Sequence, residues 1–303
     1  MNNPHLSKRT LKILQFIKDK YYPSINQIFD YLKTYDLVVS YRTFHRDLKK
    51  LRTDFGIEIT YNRVYNGYFI NKEESIDIPS FFRFLELVSL AELFSDGLRG
   101  DKKLMEYVHF ENTPELKGIE NLQPILIAIK QGCKLSFTHY NYYKDTVKAY
   151  TISPLMVKEY LNRWYVIGII EATEDLRIFG IDRLSEIQQG ELTTVQKKNF
   201  QQELDKFKDI VGVRINETPK ARIVIQTDEK HMRYLKSLPL HHSQVILDDK
   251  NPEDIKISYE IRPNYEFDTQ ILKMSSEVEV LEPMWYREHI KSKIEAIYKK
   301  YKA

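Results

Sequence analysis

The first hydrophobic pattern along the chain is helical. Leu11, Leu14, Ile17 and Tyr21 recur at spacings of three and four residues, which predicts one buried helix face. Pro23 then ends the pattern, because proline removes a backbone donor and clashes with the preceding turn. We therefore expect a first helix that stops shortly before Pro23.

A second helix is predicted directly after this stop. Ser24 is a residue type that caps helix amino termini, and the segment behind it extends to about Lys33. Its apolar positions, Ile28 and Leu32, are four residues apart and should be buried together.

A third helix is predicted after the segment TYDLVV. Ser40 is its expected cap, and the helix has the sequence YRTFHRDLKKL. Phe44, Leu48 and Leu51 follow one another at spacings of four and three residues, which defines its buried stripe.

The pattern then changes from helical to alternating. The segment IEITYNRVYNGYFI predicts two short strands, and Asn66-Gly67 is a strong signal for the turn of a hairpin. Three helices followed by a hairpin predict a winged helix-turn-helix domain over residues 1–72.

Residues 73–130 are predicted to form a helical linker. Within them, SFFRFLELVSLAELFSDGL is apolar over more than four helical turns and has few polar positions for a solvent-facing side. Such a helix packs between domains or against a second subunit. Because helix-turn-helix proteins read two half-sites as symmetric dimers, we expect a homodimer through this region or the carboxy-terminal domain.

The middle of the chain alternates again. After a helix near LQPILIAIKQG, the segments KLSFTHY, KAYTISPLMVKEY, RWYVIGIIEA and LRIFGIDRL read as strands separated by turn-length gaps. This predicts a small antiparallel sheet or barrel over residues 131–192. Strict alternation would place Arg177, Phe179, Ile181 and Arg183 on one mixed face, which requires a bulge or an open rim.

The last part of the chain mixes both patterns. After a linker at residues 193–218, residues 219–303 read as strand, helix, strand, strand, helix, strand and a final helix from Met284. This repeated order predicts a ferredoxin-like domain. The whole chain is therefore expected to be an α+β multidomain protein.

Composition and charge narrow the class. The 303 residues are 42% hydrophobic and 29% charged, as in ordinary globular proteins. No apolar run reaches the roughly 20 residues of a membrane span, and MNNPHLSKRT lacks the apolar core of a secretion signal, so we expect a cytoplasmic protein. The single cysteine, Cys133, excludes an internal disulfide and is expected to be buried.

Charge is unevenly distributed. Residues 1–72 hold 13 Lys and Arg against 6 Asp and Glu, a net charge of +7, within a chain of net charge +3. On the third helix, Arg42, Arg46 and Lys49 fall opposite Phe44 at 100° per residue. One face can pack while the other meets the edges and phosphates of double-stranded DNA, although a solvated basic surface is the alternative. The candidate DNA-binding residues are Ser40, Tyr41, Arg42, Thr43, Arg46, Lys49, Arg63 and Tyr65.

The segment SPLMVKEYLNRWYVIG followed by RIFGIDRL resembles the WYL domain of bacterial regulators. Residues 39–70 also resemble the amino-terminal domain of that family, and PLHHSQ and VEVLEP resemble its carboxy-terminal extension. Val166, Gly180 and Ser153 depart from the family pattern, which has leucine and often arginine and histidine there. The missing arginine at Gly180 removes one cation from the implied site.

The resemblance implies a Sm-like or SH3-like barrel that senses a single-stranded nucleic acid or a nucleotide-like effector. Aromatic faces stack on bases, and arginine pairs with phosphate. Carried over residue by residue, the candidate ligand contacts are Ser153, Trp164, Tyr165, Arg177 and Arg183, with Tyr140 and Lys158 nearby. Core packing by Trp164 and pairing of Arg183 with Asp182 are the alternatives.

Three motifs of enzyme classes are absent from the sequence: a glycine-rich phosphate loop, a nucleophile elbow and a zinc-protease helix. Neither a cofactor nor a metal is expected, and His241 and His242 predict a loop or strand edge. The sequence therefore predicts a sequence-specific transcription regulator. A constitutive nucleic-acid-binding scaffold and a metal-dependent nuclease, with Glu159 and Asp182 as carboxylates, are the alternatives.

Overall fold

The computed structural model describes residues 8–76, 78, 81–87, 117–248 and 251–302. It divides into two compact units, Met1–Asn112 and Thr113–Ala303. Both units contain helices and antiparallel strands, so the chain is a mixed α/β protein with several sheets.

The first unit consists of three helices followed by a hairpin. Its elements are α1 (Lys8–Asp19), α2 (Ile25–Lys33), α3 (Tyr41–Phe55), β1 (Ile59–Asn62) and β2 (Gly67–Ile70). The predicted apolar stripes meet in one core, in which Leu14, Ile28, Phe44 and Leu51 are fully buried. Tyr21 is a correction to the expected stripe of α1: the helix ends at Asp19, and the ring is 79% exposed.

Part of the predicted linker belongs to this unit. Residues 81–87 are helical, and Phe82 and Leu85 are buried in the same core as α1 to α3. The rest of the long apolar segment lies outside the described residues, so its predicted role between domains or subunits stays a prediction.

The second unit begins with a five-stranded antiparallel sheet. Its elements are α4 (Leu122–Gln131), β3 (Cys133–Asn141), β4 (Thr146–Tyr160), β5 (Arg163–Ile170), β6 (Leu176–Gly180) and β7 (Leu184–Leu192), with strand order β6-β5-β4-β3-β7. Ile125 and Ala128 of α4 cover one face of the sheet. The expected continuous strand through Arg183 is wrong, because a 3-10 turn at Ile181–Arg183 separates β6 from β7.

The other face of this sheet is covered by residues that we predicted to be a linker. Leu204, in α5 (Gln201–Asp205), and the following Phe207 and Ile210 pack against Ile167 and Ile169 of β5. Segment 193–218 therefore contributes several side chains to the core.

The remainder of the second unit is a four-stranded antiparallel sheet with helices. Its elements are β8 (Ala221–Thr227), α6 (Glu229–Ser237), β9 (Val245–Asp248), β10 (Ile255–Ile261), α7 (Tyr265–Lys273), β11 (Val278–Glu282) and α8 (Met284–Tyr301). The strand order β11-β8-β10-β9 interleaves two strand-helix-strand segments. Phe267 of α7 packs against the buried Tyr259 of the sheet and against Tyr286 of α8, so both helices share one core with the sheet.

Candidate nucleic-acid interface and candidate effector site

The amino terminus of α3 is defined by a side-chain cap. Ser40 has extended backbone geometry, and its hydroxyl accepts a hydrogen bond of 3.2 Å from the Thr43 amide. The Ser40 hydroxyl also donates to the Thr43 hydroxyl at 3.0 Å. Ser40 and Thr43 therefore fix where α3 begins, a role that accounts for both residues independently of DNA.

The outward face of α3 is cationic. Arg42, Arg46 and Lys49 are all exposed, whereas Phe44 and Leu51 on the other side are fully buried. Among the described residues of this unit, no carboxylate forms an ion pair with any of these three cations. The predicted separation of a packing face from a cationic face is thus present.

Two ion pairs hold α3 in place. Arg9 of α1 donates two hydrogen bonds to the buried Asp47 carboxylate, with N–O distances of 2.6 Å and 3.0 Å. The carboxylate raises the pKa of Arg9 above its usual value. Arg52 near the end of α3 pairs with Glu58 just before β1. These contacts fix the rotation of α3, and with it the direction of its cations.

The hairpin turn differs from the one expected. Asn62 pairs with Gly67, so the turn contains four residues, 63–66, and Gly67 belongs to β2. Asn66 adopts the left-handed conformation with φ of 50°, and the Asn62 side chain accepts hydrogen bonds from the amides of Val64 and Tyr65. Asparagine side chains thus stabilise both ends of this turn.

The predicted hairpin contacts, Arg63 and Tyr65, are placed differently. Arg63 is exposed at the turn and has no ion pair among the described residues. Tyr65 stacks on Tyr22 with ring centroids 4.5 Å apart and meets Tyr21 edge-on at 5.5 Å. About half of Tyr65 is exposed, so it braces the hairpin and still presents a surface.

A groove of about 980 Å³ separates α3 from the hairpin. Tyr41, His45 and Lys49 recur every four residues along its helical wall, and Tyr61 lies on the hairpin wall. The rings of Tyr41 and His45 are 4.4 Å apart. Sequence reasoning missed His45, although its position between Arg42 and Lys49 on the outward face was available as a signal.

The middle sheet gathers aromatic and cationic side chains around Arg183. The guanidinium lies over the Tyr142 ring at 5.3 Å, and its Nε is 3.5 Å from the Asp182 carboxylate. This Nε is buried and has no hydrogen-bond partner. Arg163 approaches the same carboxylate at 3.7 Å. The pairing with Asp182 and a ligand-binding role are compatible, because the side chain stays partly exposed.

Gly180 explains how Arg183 fits. A Cβ atom at Gly180 would lie 2.4 Å from a terminal nitrogen of Arg183. The guanidinium thus occupies the space that a side chain at position 180 would need. His139 lies beside this cluster, and burial and then the charge of Arg183 lower the pKa of its imidazole. Sequence reasoning missed His139, Tyr142 and Arg163 as neighbours of Arg183.

The structure does not bring all predicted ligand contacts together. Arg177, on the edge strand β6, is exposed and pairs with Asp175 at 3.7 Å, and it shares no described contact with Arg183. Tyr140 donates its hydroxyl to Asp145 and contacts Tyr142 edge-on at 5.4 Å. Tyr140 is therefore joined to the Arg183 cluster through Tyr142, whereas Arg177 is separate.

Trp164 and Tyr165 lie on opposite faces of β5. Trp164 is half-buried and packs against the core beneath α4. Tyr165 is also half-buried; burial raises its pKa, and the charges of Arg163 and Arg183 oppose that shift. Tyr165 thus lies within electrostatic reach of the Arg183 cluster, and Trp164 contributes chiefly to the core.

Two further candidates have polar ends that are engaged within the protein. Ser153 is fully buried, and its hydroxyl is engaged with Glu171 and Thr193. Lys158 donates to the Phe207 carbonyl at 2.9 Å, and burial lowers its pKa to about 8. Both residues support the fold around the sheet, and their role as ligand contacts stays a prediction.

In the described part of the chain, no group of three or more His, Cys, Asp and Glu is arranged to hold a metal ion. His241 is buried, with Nδ1 hydrogen-bonded to Ser243 and Nε2 to the Lys208 carbonyl, both at 2.8 Å. None of the described helices combines the length and apolar character of a membrane span.

Comparisons with known proteins identify two domains. Residues 120–189 match the model of the WYL domain, and residues 217–298 match that of the WCX domain. None of the curated proteins matches the chain significantly.

Sixteen chains of solved structures are similar to this chain. One is described as proteasome accessory factor B/C (PafBC) of Arthrobacter aurescens, with 17% identity, a TM-score of 0.31 and coverage of 93% of this chain and 45% of that one. Another is described as a CRISPR Cas-related protein, with 14% identity, a TM-score of 0.39 and coverage of 61% and 53%. The chain spans about half the length of these two structures.

Proposed function

The chain belongs to the proteins that carry a WYL domain followed by a WCX domain, and from this premise we propose that it is a sequence-specific, DNA-binding transcription regulator controlled by an effector. The proposal has three parts: a reading head in the first unit, a sensor in the WYL domain, and a homodimer that places two reading heads on one operator.

The observation that carries the proposal is the cationic face of α3. Arg42, Arg46 and Lys49 project from a helix whose rotation is fixed by buried Phe44 and by the Arg9–Asp47 pair. Exposed cations on a rigid helix suit the major groove, where arginine can bind guanine edges and lysine can bind phosphates. In this proposal the first unit is a winged helix-turn-helix, and Arg63 contacts the backbone or minor groove.

The proposed sensor is the sheet that contains Arg183. We assign it a small Sm-like or SH3-like barrel, followed by a ferredoxin-like WCX domain whose β11-β8-β10-β9 order supports that assignment. The partly exposed guanidinium of Arg183 suits phosphate, and Tyr142 and Tyr140 offer faces for bases, so the fitting effector is a single-stranded nucleic acid or a nucleotide-like anion.

Control follows from differential binding. An effector that binds one arrangement of the dimer more tightly shifts the population toward that arrangement. The free energy of this shift cannot exceed the difference in binding free energy between the two arrangements. A coupling of about 1–3 kcal/mol changes duplex affinity 5- to 150-fold. In this proposal the protein acts in the cytoplasm, needs no cofactor and catalyses no reaction.

The test is a selection of duplexes from random DNA by the purified protein, repeated with and without short oligonucleotides and nucleotides. We expect enrichment of a two-fold symmetric site and a change in its affinity when the effector is present. Failure to prefer any duplex over competitor DNA at moderate salt would remove the proposal. Cleavage of labelled duplex in the presence of magnesium would favour a nuclease.

One observation favours a second candidate function, a constitutive nucleic-acid-binding scaffold. The outward side of α4 and the turn before it is apolar, with Ile119, Leu126 and Ile127 each about 40% exposed around a shallow depression of about 340 Å³. An exposed apolar surface on a WYL domain suits a protein partner. Duplex binding that no oligonucleotide or nucleotide alters, together with loss of partner binding in Leu126→Asp, would support this alternative.

A further inference from the structure

Residues 207–214, here called the strap, lie between the two sheets of the second unit. The strap begins in a 3-10 turn at Lys206–Lys208 and continues without regular secondary structure. Phe207 and Ile210 are buried against β5 of the WYL domain. Val211 is buried in the core of the WCX domain. A segment with side chains in both cores must shift when one core moves relative to the other.

Side chains from both domains hold the carbonyl groups of the strap. Lys158, on β4 of the WYL sheet, donates to the Phe207 carbonyl at 2.9 Å. On the WCX side, His241 donates from Nε2 to the Lys208 carbonyl at 2.8 Å. Asn264 donates to the carbonyl groups of Val211 and Arg214 at 2.8 Å and 2.9 Å. The carbonyl groups of the strap therefore have hydrogen-bond partners in both the WYL domain and the WCX domain.

Glu266, the second residue of α7, holds the amide groups of the strap. Its Oε1 accepts hydrogen bonds from the amides of Val213 at 3.4 Å and Arg214 at 3.1 Å. Gly212 permits this approach, because its φ is +73° and an added Cβ would lie 2.6 Å from the Glu266 Cγ. The strap is thus built around this carboxylate.

The charges of Lys158 and Glu266 are only partly satisfied. Glu266 is 8% exposed, and its Oε2 is buried without a hydrogen-bond partner. Lys158 is partly buried with one described acceptor, and its ammonium is 5.5 Å from the Phe207 ring centroid. The charge of Glu266 raises the pKa of Lys158 against the larger effect of burial, yet no ion pair joins these two described residues. Apolar residues would cost less here, so stability alone gives no reason for the two charges.

Lys158 also lies next to the proposed sensor. It is directly opposite Tyr165 in the pairing of β4 with β5. The charges of Arg163, Arg183 and Glu266 all act on the Tyr165 hydroxyl. Tyr165 and Lys158 therefore form a short connection between the Arg183 cluster on one side and the strap on the other.

We propose that Lys158 and Glu266 are positioning residues that couple the WYL domain to the WCX domain through the strap, and that neither contacts the effector. The coupling role rests on the proposed function, whereas the anchoring of the strap does not. A displacement of β4 and β5 on effector binding pulls the Phe207 carbonyl through Lys158. The Glu266 side chain passes that movement to the amino terminus of α7.

The test compares Lys158→Met and Glu266→Gln with the matched control Lys148→Met, which removes an exposed lysine from the same strand. Methionine keeps an unbranched stem over Phe207 and removes the donor, and glutamine removes the Glu266 charge while keeping an acceptor. Three quantities are measured on the full chain: oligonucleotide affinity, the effector-induced change in duplex affinity, and hydrogen exchange at the amides of Val213 and Arg214. Circular dichroism establishes that each variant is folded.

We expect both variants to bind the oligonucleotide within about threefold of the parent and to lose most of its effect on duplex affinity. Exchange at Val213 and Arg214 should be about tenfold faster in both variants and unchanged in Lys148→Met. Weaker oligonucleotide binding by Lys158→Met with an intact response would overturn the proposal, as would a parental response in both variants.

If the parent chain responds to no oligonucleotide, the proposed function fails, and the exchange measurement still decides the anchoring of the strap. Unchanged exchange in both variants would then show that Lys158 and Glu266 do not hold it. Faster exchange would keep the anchoring role and confine the failure to the sensing function.

Discussion

Arg9 reaches from α1 to grip the buried carboxylate of Asp47 on α3 through two hydrogen bonds of 2.6 Å and 3.0 Å. Asp47 is 3% exposed, and Arg9 is the cation that pairs with it among the described residues. The pair fixes the side of α3 that faces the core and thereby directs Arg42 and Arg46 outward.

Removing Arg9 should therefore destabilise the first unit. We expect Arg9→Ala to lower the free energy of unfolding by about 2–3 kcal/mol, because it leaves the Asp47 carboxylate buried without a partner. The double variant Arg9→Ala with Asp47→Ala should recover part of this loss. Urea unfolding followed by circular dichroism measures both, and a strictly additive double variant would contradict the coupling.

The three outward cations of α3 should contribute in different ways. Arg42→Ala and Arg46→Ala should each weaken operator binding by about 1–3 kcal/mol and relax the preference at individual base pairs. Lys49→Ala should weaken binding to all duplexes and reduce the salt dependence by about one unit of slope. Lys33→Ala is the control, because Lys33 is already paired with Asp30 at 2.9 Å. Fluorescence anisotropy over a salt series distinguishes these outcomes.

How far the sequence predicts the fold depends on periodicity. Phe44, Leu48 and Leu51 mark α3 because a helix buries every third or fourth residue, and Met284 marks the start of α8. Strand β7 escaped prediction: Leu184 is buried, but most of Leu184–Leu192 is exposed, so no alternation signals it. The strap escaped because Phe207 and Val211 pack on different sheets, and only the tertiary structure brings those sheets together.

The candidate site shows the same limit. The resemblance to the WYL family made Ser153 a candidate ligand contact and Lys158 a nearby one. The residues that engage their polar ends, Glu171 and Phe207, are distant in sequence, so the sequence could not identify them as neighbours. The neighbours of Arg183 were missed because they are also distant in sequence. Tyr142 and His139 belong to another strand and its turn, and the pairing of β3 with β7 brings them close.

Gly67 should tolerate no side chain. A Cβ atom there would lie 1.9 Å from the Tyr22 carbonyl oxygen, so the hairpin must move away from the turn between α1 and α2. We expect Gly67→Ala to lower the free energy of unfolding by about 3 kcal/mol and to weaken duplex binding. Gly190→Ala is the matched control, since its nearest contact would be 3.5 Å away. Equal stability of the two variants would contradict the close docking of the hairpin.

A side chain at Gly180 should weaken effector binding and have little effect on the stability of the protein. The atoms that a Cβ would meet there belong to the flexible side chains of Arg183 and Asp182. Gly180→Ala should therefore change the free energy of unfolding by less than about 1 kcal/mol, because those side chains can rotate away. We expect the affinity for the effector to fall about as much as in Arg183→Ala. Duplex binding in the absence of effector should be retained.

Arg177→Ala should have a smaller effect on effector binding than Arg183→Ala, because Arg177 lies on the edge strand with Asp175 as its partner. Titration of each variant with a labelled oligonucleotide measures the difference. Equal losses at positions 177 and 183 would place both arginines in one site, against the separation seen in the structure.

Acid should destabilise the second unit through His241. Burial, and then the charge of His242, lower the pKa of His241 from 6.5 to about 4. Nε2 donates to the Lys208 carbonyl, so Nδ1 serves as the acceptor for Ser243, and protonation would remove that acceptor. Between pH 6.5 and 4 the unfolded chain binds a proton that the folded chain does not, so stability falls as the pH falls.

From this difference in pKa, the loss attributable to His241 should reach about 2 kcal/mol at pH 5 relative to neutral pH. Urea unfolding of the full chain, followed by the fluorescence of Trp164 and Trp285, reports on this unit. His241→Gln should flatten the dependence between pH 6.5 and 4, whereas His45→Gln, at an exposed position of the first unit, should leave it unchanged. A slope that persists in His241→Gln would show that another group binds the proton.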